Sequence, residues 1–257
     1  MFEDIIDAIK KPQIWLYLSW YDIKQRYKRS TLGPLWVTIS TGVLVGMLSL
    51  LWSTLFKMDV KDYLPFFCIG QVVWTFFSMQ LTESCNAFVQ FDYIIRQTKV
   101  SFNSLVMRVL SRNFIVFFHN LIIIFVVITF VGPGWSWTAL WAIPSFLLLS
   151  FALFSLSMIL AIACTRFRDL QMIVQNILLV CFYFTPIMWK KEQLSEQWLY
   201  IINVNPLVHF FDIIRKPILG MTPDAESVKV SILISLGLFV IAQFLVLKTR
   251  RRIAYWL

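Results

Sequence analysis

Residues 138–164 read TALWAIPSFLLLSFALFSLSMILAIAC, a run of 27 residues without a charged side chain. A helix of about 20 apolar residues is long enough to cross the ~30 Å hydrocarbon core of a bilayer. Five further segments are similarly apolar, and Lys229, near the start of the last one, is the only charged residue within them. The sequence therefore predicts an all-α membrane protein with six transmembrane helices, at residues 35–56, 63–82, 113–131, 138–164, 171–189 and 228–247.

The basic residues are divided unequally between the two sides of these segments. Of the 23 Lys and Arg residues, 16 lie in the N-terminal segment, the second and fourth loops and the C-terminal tail, and the other 7 lie in the remaining three loops or, for Lys229, at the adjoining start of the last span. The 14 acidic residues divide evenly, so the first side carries the whole formal net charge of +9. Because Lys-rich and Arg-rich flanks stay in the cytoplasm, we predict that both termini are cytoplasmic and that the chain lies in the cytoplasmic (inner) membrane.

The composition and the missing motifs narrow the possible functions. Charged residues make up only 14% of the chain, against about a quarter in soluble domains, and basic flanks of membrane spans explain the charge without a nucleic-acid partner. The sequence has no GxxxxGK[ST], no HExxH, no serine nucleophile elbow and no cysteine spacing typical of a metal site. We therefore expect no catalytic residues, no metal and no cofactor in this chain, and energy for any transport must come from another subunit.

The N-terminal segment, residues 1–32, is too polar to cross the membrane. Within residues 12–29, Leu16, Trp20, Ile23 and Tyr27 are spaced along one face of a helix. This spacing predicts a helix that lies in the cytoplasmic interface, with its aromatic rings at headgroup depth. The residues assigned to this interface helix are Trp20, Asp22, Arg26, Tyr27 and Arg29.

Two other segments between the spans are long enough to form structure. Residues 84–112 mix charged and apolar side chains and predict a short amphipathic helix on the cytoplasmic side. Residues 190–227 predict two short helices on the other side, because Asn205-Pro206 is typical of a helix N-cap followed by proline at the first position. Both helices are too short to span, so they dip into the outer leaflet or cover the mouth of a channel.

Aromatic residues are unusually abundant, at 17% of the chain. Aromatic faces hold sugar rings through apolar contacts and without charge. Packing against lipid is the commoner explanation for any single ring, so the hypothesis applies to the set. We predict a substrate path lined by aromatic residues of the spans: Trp36, Trp74, Tyr183 and Phe184. His119 is expected to be an interior group that is hydrogen-bonded to Asn120 or to a nearby hydroxyl.

The stretch DIKQRYKRSTLGPLW at residues 22–36 resembles the N-terminal motif of the permease subunit of polysaccharide-exporting ABC transporters, which serve O-antigen, capsule and teichoic acid export. Similar short motifs follow along the whole chain: Arg168-Asp169-Leu170, Thr185-Pro186-Ile187, and Asn205-Pro206-Leu207 together with Arg215. One departure is Phe102-Asn103, where the family often has Phe-Pro after its coupling helix.

The resemblance implies a channel formed by two copies of this chain as a single permease domain, residues 1–257. Two copies of a separate ATPase, which would hold ATP and Mg²⁺, would bind on the cytoplasmic side, and lipid-linked polysaccharide, O-antigen most of all, would be the cargo. Residues 84–112 would be the coupling loop and residues 190–227 would hold the gate helices. The implied coupling residues are Asp92, Tyr93, Arg96 and Lys99, and the implied gate residues are Asn205, Pro206 and Arg215.

Two alternatives remain open at this point. One is an ABC permease for another cargo, such as capsule, teichoic acid, a drug or a lipid. The other is a membrane protein without a transport function, such as a scaffold. Recovery of a stoichiometric P-loop ATPase with the purified protein distinguishes a permease from a scaffold.

Overall fold

The computed structural model describes residues 3–97 and 101–257, and every regular element within these two ranges is a helix. The eleven α-helices in these ranges are α1 Glu3–Lys10, α2 Pro12–Arg26, α3 Leu35–Phe56, α4 Val60–Ser84, α5 Asp92–Gln97, α6 Phe102–Phe130, α7 Ala142–Arg166, α8 Leu170–Phe184, α9 Glu196–Val204, α10 Pro206–Ile218 and α11 Ala225–Trp256. Short 3₁₀ helices occupy Val89–Phe91, Trp137–Trp141 and Lys191–Gln193. The prediction of an all-helical protein is therefore confirmed.

Five helices within the described ranges are long and apolar enough to cross a membrane, where the sequence predicts six. They are α3, α4, α6, α7 together with the 3₁₀ helix before it, and α11. The remaining predicted span, residues 171–189, corresponds to α8, which has only 15 residues because the chain leaves the helix at Thr185. At 1.5 Å per residue α8 is about 22 Å long, which is short of the ~30 Å hydrocarbon core.

The spans alternate in direction, so the bundle has two distinct ends. The basic end holds α2, α5 and the start of α6, and the tail of α11 packs against α5 there. The opposite end holds α9, the 3₁₀ helix Trp137–Trp141 that follows α6, and the 3₁₀ helix Lys191–Gln193 that follows α8. Helix α4 lies at the centre, and it contacts α3, α6, α7 and α8.

Helix α3 buries most of its hydroxyl groups and exposes most of its apolar side chains. Thr38, Thr41 and Ser49 face the bundle, whereas Met47 and Leu55 are among its exposed residues. Thr38 donates a hydrogen bond to Oδ1 of Asn120 on α6 at 3.0 Å. A helix in water has the reverse arrangement, so the outer face of α3 is suited to lipid or to a second helical surface.

The third span begins eleven residues earlier than predicted, at Phe102 rather than residue 113. Arg108 and Arg112 therefore lie within α6 and are buried, and they do not belong to a solvated loop. The hydropathy pattern placed the start of this span too late because these two charges interrupt the apolar run. The connection between α4 and α6 is correspondingly short, and the part of it that the structure describes holds α5 and a 3₁₀ helix.

The helix predicted within residues 12–29 is present as α2. Ser19 and Ile23 are buried against the bundle, where α2 packs on α6, while Leu16 and Trp20 point outward and are exposed. Of the predicted interface face, only Ile23 is therefore taken up by the bundle, and the contact of the other residues with a membrane stays a prediction. The packed face carries Asp22, whose ion pairs to α6 fix the orientation of the helix.

The two short helices predicted in residues 190–227 are present as α9 and α10. Asn205 caps α10, since its side-chain oxygen accepts a hydrogen bond from the backbone N–H of Leu207 at 3.0 Å, and Pro206 is the first residue of the helix. Helix α10 ends before Gly220, whose φ of +87° suits glycine. It packs among α4, α7 and α11, so it is part of the bundle and does not lie on the outside of it.

Candidate functional site

Five charged side chains meet at the basic end of the bundle. We call them the five-charge cluster: Asp22 and Arg26 of α2, Glu83 of α4, and Arg108 and Arg112 of α6. The two α6 arginines are nearly inaccessible to solvent, and Asp22 and Glu83 are mostly covered. Because ions are costly to bury unless they are paired, this cluster fixes how the three helices pack.

Asp22 is the centre of the cluster. Both of its carboxylate oxygens accept from Arg108, with Nε at 2.7 Å from Oδ2, and Nη1 of Arg112 lies 3.1 Å from Oδ2. Arg112 also donates to Glu83 at 2.6 Å, and Arg26 donates to the other oxygen of Glu83 at 2.7 Å. Bidentate pairing of this kind fixes geometry as well as charge.

The electrostatic effect of the cluster is visible at its most exposed member. Burial alone would lower the pKa of Arg26, but the neighbouring Glu83 carboxylate outweighs burial, and the pKa of Arg26 is raised. Arg26 therefore stays charged at any physiological pH, and its ion pair with Glu83 persists.

The cluster also touches the segment that leads into α5. The guanidinium carbon of Arg108 lies 3.8 Å from the ring centroid of Phe91, which is the residue before α5. A cation at this distance from an aromatic face is attracted to it. The cluster thus connects α2, α4 and α6 with the connection that precedes α5.

The residues that sequence reasoning assigned to the interface helix divide into two groups. Asp22 and Arg26 lie on α2 and belong to the cluster, so their charges are directed at α4 and α6. Trp20 is exposed, Tyr27 is half-buried at the end of α2, and Arg29 is exposed beyond it. These last three remain available to a bilayer surface.

The predicted coupling residues lie in and around α5. Asp92 begins the helix, and Tyr93 is among the most exposed aromatic residues of the described ranges. Arg96 lies on the same helix, where the structure describes its backbone only. Lys99 lies outside the described residues.

A second buried cation lies in the half of the bundle near the opposite end. The guanidinium of Arg215 on α10 is 3.9 Å from the ring centroid of Phe66, and its Nη1 donates to the backbone carbonyl of Pro186 at 2.7 Å. Gly70 makes room for it, because a methyl group built there would lie 2.3 Å from Nη2. The nearby Asp212 pairs with Lys191 at 2.6 Å.

Three side chains fasten the turn after α8. Arg215 donates to Pro186, the amide of Asn205 donates to the Thr185 hydroxyl at 3.2 Å, and the Tyr63 hydroxyl donates to the carbonyl of Met188. Thr185, Pro186 and Ile187 are all buried. The motifs that sequence reasoning singled out separately, at residues 185–187, at residues 205–207 and at Arg215, therefore meet at one place, and together they set where α8 ends.

The four predicted path residues do not share one environment. Trp74 is only 7% exposed and packs against Phe77, Phe182 and Phe211 in the core, so it does not line a path, and its assignment was wrong. Its ring completes the packing between α4, α8 and α10. Trp36, Tyr183 and Phe184 are each exposed, the first at the basic end of α3 and the other two at the far end of α8.

Helix α8 is exposed around most of its circumference. Leu178 is its only buried residue, and the amide side chains of Gln175 and Asn176 are exposed halfway along it. An amide that faces lipid loses its hydrogen bonds to water, at a cost of a few kcal/mol. The two amides of α8 therefore need a second protein surface or water to hydrogen-bond with. The sequence analysis did not single them out, although polar residues in the middle of an apolar segment are a visible signal.

Several polar side chains inside the bundle are hydrogen-bonded to one another. Asn113 of α6 donates to Gln80 of α4 at 2.8 Å, and Gln80 donates to Ser157 of α7 at 2.9 Å. His119 is hydrogen-bonded to the backbone carbonyl of Ile115 at 2.6 Å, so the predicted partner, Asn120 or a nearby hydroxyl, was wrong, and the Oδ1 atom of Asn120 accepts from Thr38. Within residues 3–97 and 101–257, no group of three metal-binding side chains is close enough to hold an ion.

Comparison with known proteins agrees with this arrangement. A family model described as an ABC-2 type transporter matches residues 13–219, which run from α2 through α10. The chain belongs to the ABC-2 type transporter family. It is thus a multi-pass membrane protein of a class whose members are transporter components, and the family implies an ABC ATP-binding partner.

Three relatives carry the same name, "O-antigen export system permease protein RfbA". One from Klebsiella pneumoniae is 31% identical over 193 residues, and a second from the same organism is 26% identical over 189 residues, each match covering 72% of both chains. A third, from Myxococcus xanthus, is 25% identical over 190 residues and covers 73% of both chains.

Proposed function

We propose that this chain is the channel-forming permease subunit of an ABC exporter that carries lipid-linked polysaccharide, O-antigen in particular, across the inner membrane. Two copies form the conduit, and two copies of an ATP-binding subunit drive it. The proposal is supported by the family, by three relatives named for O-antigen export, and by the exposed surface of α8. Membership of a transporter family also argues against a scaffold.

The surface of α8 carries the argument for a conduit. Gln175 and Asn176 offer hydrogen bonds to hydroxyl groups, and the rings of Tyr183 and Phe184 offer apolar contact to the faces of sugars. Weak contacts of both kinds suit a polymer that must slide and must not stay bound at one site. In a dimer in which α8 faces the conduit, these side chains would contact water and the cargo, and they would not contact lipid.

Leucine at both positions 175 and 176 should reduce surface polysaccharide about tenfold, because losing two hydrogen-bonding groups costs about 1.4 kcal/mol or more along the path. The measurement is surface glycan per copy of the exporter, with dimerisation and partner-stimulated ATP hydrolysis as controls for folding. Gln197→Leu, at an exposed position on α9, is the matched control and should export normally. If α8 faces lipid instead, the double substitution will leave export unchanged.

The proposed topology places the basic end in the cytoplasm, as the excess of Lys and Arg on that side supports. Gln97 and Ser195 are both exposed and lie towards opposite ends of the bundle. In a background without the four native cysteines, an impermeant thiol reagent added to intact cells should label a cysteine at 195 and not one at 97. Labelling at 97 alone would reverse the topology.

A further inference from the structure

A deep apolar groove opens between α6 and α7 in the half of the bundle near the opposite end. Its volume is about 910 Å³. The sides are formed by Phe118, Leu121 and Phe125 of α6 and by Ile143 and Leu147 of α7, while Val73, Ile214 and Ile218 of α4 and α10 form the floor. None of the described residues that line it is charged.

Two of the polar side chains at the groove are already paired within the protein. The indole N–H of Trp135 donates to the hydroxyl of Thr129 at 3.0 Å, and the hydroxyl of Ser136 is hydrogen-bonded to that of Thr138. A polar occupant would find few partners along the apolar walls and would lose its own hydration. The groove therefore favours hydrocarbon.

The length of the groove matches one leaflet of the bilayer. It extends along α6 from Phe114 to Phe125, which is about 16 Å at 1.5 Å per residue, or roughly half of the ~30 Å hydrocarbon core. At the inner end of the groove the rings of Phe114, Phe117 and Phe146 pack together, with the centroids of Phe117 and Phe146 4.2 Å apart, and they close it towards the middle of the membrane. At the other end Trp135 and Trp137 are exposed, as is typical of rings at headgroup level.

We propose that this groove binds an acyl chain of a phospholipid from the leaflet at the opposite end. A chain that reaches past the middle of the membrane, as a long polyprenyl chain would, is stopped by the Phe117–Phe146 stack. The bound chain fills the gap where α6 and α7 separate and so stabilises their packing. This inference depends on the chain spanning a membrane and is independent of the proposed cargo.

Two matched variants test the site. Ala142→Trp places a large ring in the groove, and Leu236→Trp adds the same ring to an exposed position on α11. The full chain is reconstituted in phosphatidylcholine vesicles doped with a phosphatidylcholine that carries a diazirine on its acyl chain. After illumination, adducts should concentrate on the groove residues of α6 and α7, and Ala142→Trp should reduce them roughly tenfold, as for a loss of about 1.4 kcal/mol of affinity. Leu236→Trp should leave them unchanged.

A second measurement does not depend on how well the variants fold. The wild-type protein in detergent should lose thermal stability when its phospholipid is stripped, and it should recover when phosphatidylcholine is returned. Uniform labelling over the exposed surface of α11 and the groove would overturn the proposal. So would stronger labelling by a diazirine polyprenyl phosphate, or disulfide formation between two copies through a cysteine at position 118, which would place protein over the groove.

Discussion

Replacing Asp22 by asparagine should destabilise the protein by about 3 kcal/mol or more, the usual effect of removing one partner from a buried ion pair. The substitution keeps the shape of the side chain but leaves Arg108 and Arg112 without the carboxylate that both of them contact. For a chain of this size such a loss corresponds to a fall in Tm of roughly 6–12 °C, measured for the purified protein in one detergent.

A matched control and a second substitution test whether the fall in Tm of Asp22→Asn comes from the five-charge cluster. Asp62→Asn removes an exposed carboxylate from the first turn of α4 and should change Tm only slightly. Combining Asp22→Asn with Arg108→Gln restores the net charge of the five-charge cluster, so it should recover part of the lost stability. An unchanged Tm for Asp22→Asn alone would mean that the cluster does not hold α2 against α6.

Leucine in place of Gly70 should be comparably damaging, at roughly 2.5–6 kcal/mol. The new side chain would occupy the space of the Arg215 guanidinium, which already lies within 2.3 Å of a methyl group built at this position. Arg215 would lose its charged hydrogen bond to Pro186, worth about 1.5–3 kcal/mol, and overpacking would add about 1–3 kcal/mol. Freed from this anchor, the turn after α8 should also become accessible to proteases.

Gly237→Leu is the control, because a side chain added at that helical position meets no other atom within 4 Å. It should keep or slightly raise the stability, since leucine favours a helix more than glycine does. The double variant Gly70→Leu with Arg215→Ala should regain much of the lost Tm, because the leucine then fills the vacated space. If Gly70→Leu proves as stable as Gly237→Leu, the Arg215 side chain does not hold the turn after α8 in place.

Local signals in the sequence predicted the elements that depend on neighbouring residues. The N-cap at Asn205 and proline at the next position predicted α10 correctly, since a cap is made by residues two positions apart. The end of α8 was missed although a signal was present: Pro186 disfavours helix at Thr185, which lies within the predicted span. The apolar residues after the proline hid the break from a hydropathy pattern.

Contacts between distant residues could not be predicted in the same way. Asp22 and Arg108 are 86 positions apart, and nothing in either local sequence indicates that they pair. Trp74 was placed on a path because an aromatic run does not reveal which rings face the core. The α6 arginines were assigned to a loop for the same reason, since a charge beside a span is ordinarily solvated and only the partner helices bury it here.

The order of the five charges along the chain bears on how the protein is made. An unpaired arginine is costly to bury among helices, and α6 carries two, Arg108 and Arg112, in its half at the basic end. Both carboxylates that neutralise them, Asp22 and Glu83, are translated earlier, so their helices are available when α6 leaves the ribosome. A circular permutation that synthesised α6 before α2 and α4 would leave both arginines without partners until those helices followed, and the bundle should assemble more slowly although the finished contacts were the same.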